Sequence, residues 1–590
     1  METKFNNTDI LGYGDFNEGQ IYFVQRWLEL LNIHTHSKYS VRYLNSHQAL
    51  SETLYVCKGM MNDEIKRTDQ HLRIVFGEAN KIVVEDKLFS KYAENQAKIM
   101  KNTFQSVPKT TENAKIHSVI YRLEYVIRHL ETNYLKWIVQ EVNDLLRLNA
   151  YEDKDFSEID TVLKVLASEL LGKGWSLNAL YSLIKETILS EQSTVIERFK
   201  KFFERTLSEP TTYIHLFSIK SNLNSETKLQ LEQFGADLLN GNAVISTYSE
   251  YELEQNLSKN KEYIRIENNA HDIQSGINKA WQEVAEYLDL LRFYGYPLPG
   301  IATEPIVLLQ NGKSFVRNIR VDLVEKKKKF RASKSMMEKV RNQLEHNNIE
   351  VNRKFKSLFE FTRISDESLS PQSAFLNLWI AIESFVRTEE YDGGIDNVRN
   401  VLSTSSTHNY LYGLLKNFIL DCNRCDLEVE IDGQMKKVGK LVPQDAMLIL
   451  LDSGNEQVIE SACRELNLLL AYRYKELKSI LKDGKSSSAL LKNHKENIEQ
   501  HVQRLYRIRN SIVHSAEIHY NTNLFIKHLH EYLESIMSVV VYLLEEYPDA
   551  KLEEIFAQVR DSVETTIETL RNSTHLDQET YYELVLKGAF

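Results

Sequence analysis

The chain has 590 residues, 42% of them hydrophobic, long enough for three or four domains with proper cores. A net charge of −11 excludes a protein that coats nucleic acid generally, so any RNA contact must be a local basic patch. No stretch approaches the roughly 20 apolar residues that span a bilayer, the polar start Met1–Asn7 lacks a signal-peptide core, and four cysteines suit a reducing cytoplasm.

Eight prolines and 21 glycines fit a mainly α, multidomain protein. Residues 1–205 read as a mixed, mostly helical region. It holds a helix around Ile21–Leu31, strand-like runs at 72–76 and 81–84, and longer helices near 113–148 and 158–204. Gly172-Lys173-Gly174-Trp175-Ser176 reads as an interhelix turn with Ser176 as N-cap; it lacks the remaining glycines and the Gly-Lys-Ser/Thr order of a phosphate loop. Residues 206–325 read as an α/β middle domain with strands at 213–219, 243–248 and 315–321 and a helix at 281–288. Lys326-Lys327-Lys328-Lys329 then opens a charged junction, read as a solvated linker in preference to an RNA-steering patch.

Residues 326–590 read as a helical domain. Phe375, Leu378, Trp379, Ile382, Phe385 and Val386 mark one amphipathic helix, with Glu383 at the edge of its stripe. Cys422 and Cys425 have zinc-knuckle spacing, but Cys463 is the only other cysteine nearby, so the default is two small buried residues at a helix end. Leu491, Ile498, Val502 and Leu505 carry a second stripe, and Phe525, Leu529, Leu533, Ile536, Val540 and Leu543 a third, opened by Asn523 as N-cap and closed by Pro548. His528 and His530, two apart on that helix, diverge by about 200° and share no metal. No cofactor is assigned.

Between the second and third stripes lies Arg509-Asn510-Ser511-Ile512-Val513-His514. With 27 arginines and 17 histidines, chance supplies about one Arg–His pair at this spacing, and three occur: Arg42–His47, Arg341–His346 and Arg509–His514. Context separates them. Arg509 falls in a slot the stripe reserves for an apolar side chain, where an unpaired charge costs several kcal/mol (about 3–5) and needs a partner. Glu383 is the nearest candidate to hold Arg509 or orient His514. Arg504 and Arg507 sit off the stripe. Five residues turn a helix by about 500°, so Arg509 and His514 diverge by about 140° if both are helical. Either the helix ends near Asn510, or each cleft takes residues from two subunits.

Leu378-Trp379-Ile380-Ala381-Ile382-Glu383 followed by Arg507-Ile508-Arg509-Asn510-Ser511-Ile512-Val513-His514 resembles the HEPN superfamily, and within it the ApeA-like domains. The resemblance covers roughly the C-terminal 40% of the chain. It implies a helical bundle that pairs as a homodimer and cuts RNA, with tRNA a candidate substrate, without a metal. Arg509, Asn510 and His514 would be the catalytic residues, and Arg504, Arg507 and Lys527 the positive lining that holds the strand. The 2′-hydroxyl would attack the adjacent phosphate to leave a 2′,3′-cyclic phosphate, with His514 moving protons and Arg509 stabilising the phosphorane. It also implies bacterial antiphage defence by abortive infection, set off by a phage or host trigger acting through the N-terminal region. The alternatives are a non-catalytic scaffold and the toxin of a toxin–antitoxin pair.

Overall fold

The computed structural model describes residues 5–319 and 338–586, except 33–43, 64, 66–68, 106–112, 191–192, 221–222, 252, 254–256, 343–347, 369, 389–393, 432, 516–521 and 574–577. The lysine run at 326–329, Arg42 and His346 lie outside the described residues, as do the side chains of 514–524, including His514 and the expected cap Asn523. The protein is mainly α and multidomain. Among the described residues no helix is long and apolar enough to cross a membrane.

The N-terminal region is helical: α1 (Glu18–Leu31), α2 (Ser46–Met61), α3 (Asp69–Glu85), α4 (Asn113–Leu145), α5 (Asp153–Gly172), α6 (Leu177–Thr187) and α7 (Val195–Thr206). Each start that can be read is chemically marked. Asn17 accepts from the Gln20 N–H to cap α1, and Ser176 accepts from the Ala179 N–H to cap α6. The expected turn at 172–176 is therefore present, with Gly174 at φ +96, and a further break before Thr194 divides the expected helix 158–204 into three. The strand-like runs at 72–76 and 81–84 are both inside α3. Leu72, Val75, Phe76, Ala79 and Val83 are its buried apolar residues, a 3.6-residue period that overrides the local β-branched composition.

The middle domain is a five-stranded antiparallel sheet, order β2-β3-β1-β4-β5, made of β1 (Thr211–Ser218), β2 (Asp237–Asn240), β3 (Glu262–Ala270), β4 (Ile306–Leu309) and β5 (Ser314–Val316). Helix α8 (Gly241–Thr247) occupies the segment expected as a strand at 243–248. Asn240 caps it by accepting from the Ala243 N–H, and Val244 and Tyr248 bury one side four residues apart. Helix α9 (Ile273–Phe293) covers one face of the sheet.

His215 on β1 is fully buried beneath α9, where a Cβ at Gly276 would stand 3.1 Å from its Nε2. Burial pushes its imidazole down to about 4, against a weaker upward pull from Asn268. The ring is therefore neutral in the fold and titrates near 6.5 when unfolded. Because the folded value is the lower one, the stability this ring contributes is intact above pH 6.5 and falls as the pH drops toward 4. Unfolding free energy should decline by about 2–3 kcal/mol from this group between pH 7 and pH 4.5. Urea midpoints of the parent and of His215→Leu measure it; the variant should lose this share of the acid sensitivity.

The C-terminal region builds two cores. The bundle core gathers α10 (Ile349–Glu367), α11 (Pro371–Val386), part of α12 (Gly394–His408), and the later α17 (Thr522–Glu546) and α18 (Leu552–Asn572). A second core forms around α13 (Tyr410–Cys425), a hairpin of β6 (Glu428–Ile431) and β7 (Gln434–Lys437), α14 (Glu456–Leu466) and α15 (Leu468–Leu481). Helix α16 (Gly484–Ser515) runs through both, contributing Leu491 to the second core and Ile498, Val502 and Leu505 to the bundle. Its 32 residues make it about 48 Å long. Cys422, Cys425 and Cys463 are buried in the second core, where burial and mutual proximity push the Cys422 thiol up.

Candidate active site on the long C-terminal helix

The stripe expected from the sequence is buried: Ile498, Val502 and Leu505 face the bundle, and Arg509 and Ile512 continue the same face half-buried. Arg509 donates from Nη1 to the Asn510 carboxamide oxygen at 3.0 Å. Among the described residues no carboxylate pairs with it. Glu383 does not reach it; its Oε2 accepts instead from the Trp379 indole N–H at 2.9 Å, one helical turn back on α11. The expected Glu383–Arg509 pair is thus replaced by a local Trp379–Glu383 bond. Trp379 is fully buried, and its ring lies 5.9 Å from that of Tyr506, which seats α11 against the motif helix.

Helix α16 continues through Ser515, so Arg509 and position 514 stand on one unbroken helix. They are separated by about 140° around it and about 7.5 Å along it. The option of a helix end near Asn510 is removed. Lys527 is half-buried on α17.

Arg504 and Arg507 are not a solvent-facing lining. Arg504 Nε and Nη2 donate to Glu52 Oε2 at 2.8 Å and Glu78 Oε1 at 2.5 Å, and Arg507 Nη2 donates to Glu52 Oε1. The carboxylates come from α2 and α3 of the N-terminal region, and all four side chains are largely buried. The cause lies in the back of the helix. Positions 504, 507, 511 and 514 cluster opposite the apolar stripe, with 507 and 514 only about 20° apart. At Arg504 and Arg507 that face is covered by α2 and α3 and not by water. Burial alone would raise the Glu52 carboxyl, but the two guanidiniums overcome it and hold it at about 2. Burial likewise depresses Arg504, and its two carboxylate partners reverse the effect and raise it.

Sequence reasoning missed Glu52 and Glu78 because their partners lie more than 400 positions away and neither carries a local signature. It also missed a buried aromatic cluster two turns before Arg509, where His501 Nδ1 lies 2.8 Å from the Tyr532 hydroxyl and its ring 4.9 Å from that of His528. Of the other Arg–His pairs, His47 lies 3.0 Å from Glu169 on the N-terminal core, and Arg341 is exposed.

No family model matches the chain, and comparison with curated proteins and with solved structures likewise returns no match.

Proposed function

We propose that the C-terminal bundle is a metal-independent endoribonuclease of HEPN type, working as a homodimer in the cytoplasm and serving antiphage defence under control of its N-terminal region. The observation that carries this reading is Arg509 itself. A guanidinium on a core-facing stripe, held by a neutral carboxamide and by no described carboxylate, keeps its charge for an external anion. A scissile phosphate supplies that anion.

In the reaction the ribose 2′-oxygen attacks phosphorus and the bond to the 5′-oxygen breaks, leaving a 2′,3′-cyclic phosphate and a 5′-hydroxyl. His514 takes the 2′-hydroxyl proton or delivers one to the leaving oxygen, and Arg509 neutralises the phosphorane. Asn510 holds the guanidinium by the bond described above. Because the two catalytic positions diverge on one helix, a cleft built from two α16 helices supports convergence better than one built from a single helix. tRNA is a candidate substrate.

End chemistry tests the reading. RNA recovered from cells expressing the protein under phage challenge should carry new 5′-hydroxyl ends that accept label from polynucleotide kinase without prior phosphatase treatment. New 5′-phosphate ends would reject the mechanism; no new ends, with a folded protein, would leave the scaffold.

A further inference from the structure

The N-terminal region meets the C-terminal region at two places of different chemistry. One joins the cores: Leu468 and Leu469 of α15 belong to the N-terminal core, Leu469 N–H donates to Gln25 Oε1 at 3.0 Å, Asn467 Nδ2 donates to the Phe5 carbonyl at 3.1 Å, and Arg464–Glu18, Arg473–Glu29 and Lys475–Asp153 ion pairs flank the shared core. The other is the four-charge cluster of Glu52, Glu78, Arg504 and Arg507 on the motif helix. At that second contact the cores do not merge, since the buried members of the bundle core begin at Val351. The shared apolar core makes the first contact the anchor. The second has ions and no shared core to hold it, and ions have an alternative partner.

Carboxylate and phosphate present the same oxygen pair to a guanidinium fork, so an arginine that takes one bidentately takes the other. The cluster is also incompletely satisfied. Glu52 spends one oxygen on each arginine and Glu78 spends Oε1 on Arg504, while Arg507 Nε is buried with no acceptor among the described residues. A buried donor without an acceptor carries a desolvation cost that any group bringing an acceptor oxygen relieves. A phosphate group, with more acceptor oxygens than the carboxylates supply here, would satisfy it. The placement is equally pointed, because Arg507 shares its helix face with position 514 one heptad on, and Arg504 is five residues before Arg509.

We propose that Glu52 and Glu78 are an autoinhibitory latch, standing where RNA phosphates bind Arg504 and Arg507 and keeping RNA off the motif helix until the N-terminal helices α2 and α3 withdraw. This deepens the nuclease reading and rests on it for the consequence of release, though not for RNA binding itself. Release exchanges two internal carboxylates for two backbone phosphates, pivoting about the apolar anchor at Leu468 and Leu469. The two arginines expected to line an RNA groove do so only in the released state.

The test is binding of a fluorescently labelled single-stranded RNA by the full-length protein. Glu52→Gln with Glu78→Gln, which keeps side-chain shape and removes both charges, should bind at least about ten-fold more tightly than the parent. The slope of log affinity on log salt should steepen by about 1.4, the value for two added phosphate contacts on a single strand. Adding Arg504→Ala and Arg507→Ala should erase both gains. If the double variant does not fold, Glu52→Gln alone, which leaves Glu78 on Arg504, should show a smaller gain of the same kind. A folded variant with the affinity and salt slope of the parent overturns the latch. Cleavage reports separately: tighter binding without Arg509-dependent cleavage keeps the latch and sinks the nuclease, and Arg509-dependent cleavage without tighter binding does the reverse.

Discussion

Arg509→Ala is expected to slow RNA cleavage by about a hundred- to a thousand-fold, the loss that follows removal of one preorganised donor to a charged transition state. Its thermal midpoint should barely move, because Arg509 is half-buried and its described tie is one hydrogen bond to a neighbouring carboxamide. His514→Ala should lose a comparable or larger factor, about a hundred- to ten-thousand-fold, through the missing proton transfer. Single-turnover assays on labelled RNA, beside melting curves, give both numbers. A folded Arg509→Ala that cuts at the parental rate rejects the site. Mixing the two inactive variants then reads the geometry. If each cleft joins Arg509 of one subunit to His514 of the other, a mixed dimer keeps one intact cleft of its two and regains about half the activity per dimer. A cleft made within one chain regains none. Arg341→Ala should leave activity unchanged, since that residue is exposed on a separate segment.

Trp379→Ala should be the most damaging single change to the bundle, at about 3–5 kcal/mol. The indole is fully buried in the bundle core, contacts Tyr506 of the motif helix, and gives its N–H to Glu383. Truncation leaves a cavity and strands Glu383 Oε2, while the other carboxylate oxygen, Oε1, lies against Gly394, where a Cβ would sit 2.9 Å from it. Trp379→Phe refills most of the volume but not the hydrogen bond, and should cost clearly less. Urea titration followed by circular dichroism separates the three proteins. Equal midpoints for parent and Trp379→Ala would show that this core does not support the motif helix.

Both predictions draw on features that were legible in the chain to different degrees. The stripes of α16 and α17 were readable because a 3.6-residue period survives in any sequence that must bury one side of a helix. The same period was present in α3, at Leu72, Val75, Phe76, Ala79 and Val83, but isoleucine and valine runs drew the reading toward strands. In α8 the decisive signal is the Asn240 cap, which the β-prone run Val244-Ile245-Ser246-Thr247-Tyr248 conceals. The partner of Glu383 is readable too, since Trp379 stands four residues before it on the same helix.

Arg504 and Arg507 illustrate a different limit. Helical periodicity identifies the face that packs within a domain, and the opposite face then reads as wet. Here that opposite face is covered by α2 and α3, whose carboxylates come from hundreds of residues away. No local pattern encodes such a meeting. Only the arginines' failure to suit either a core or a neighbour of their own helix hinted at a remote acceptor.

The participation of Leu468 and Leu469 in the N-terminal core has a practical corollary for dissecting the protein. A shortened polypeptide starting near residue 206 would bare a greasy seam on α15, with the Gln25 and Phe5 hydrogen-bonding groups stripped from it. Inclusion bodies or silence from such a fragment would therefore report a torn surface, and harmful effects of the intact polypeptide are better apportioned by point changes than by scissors.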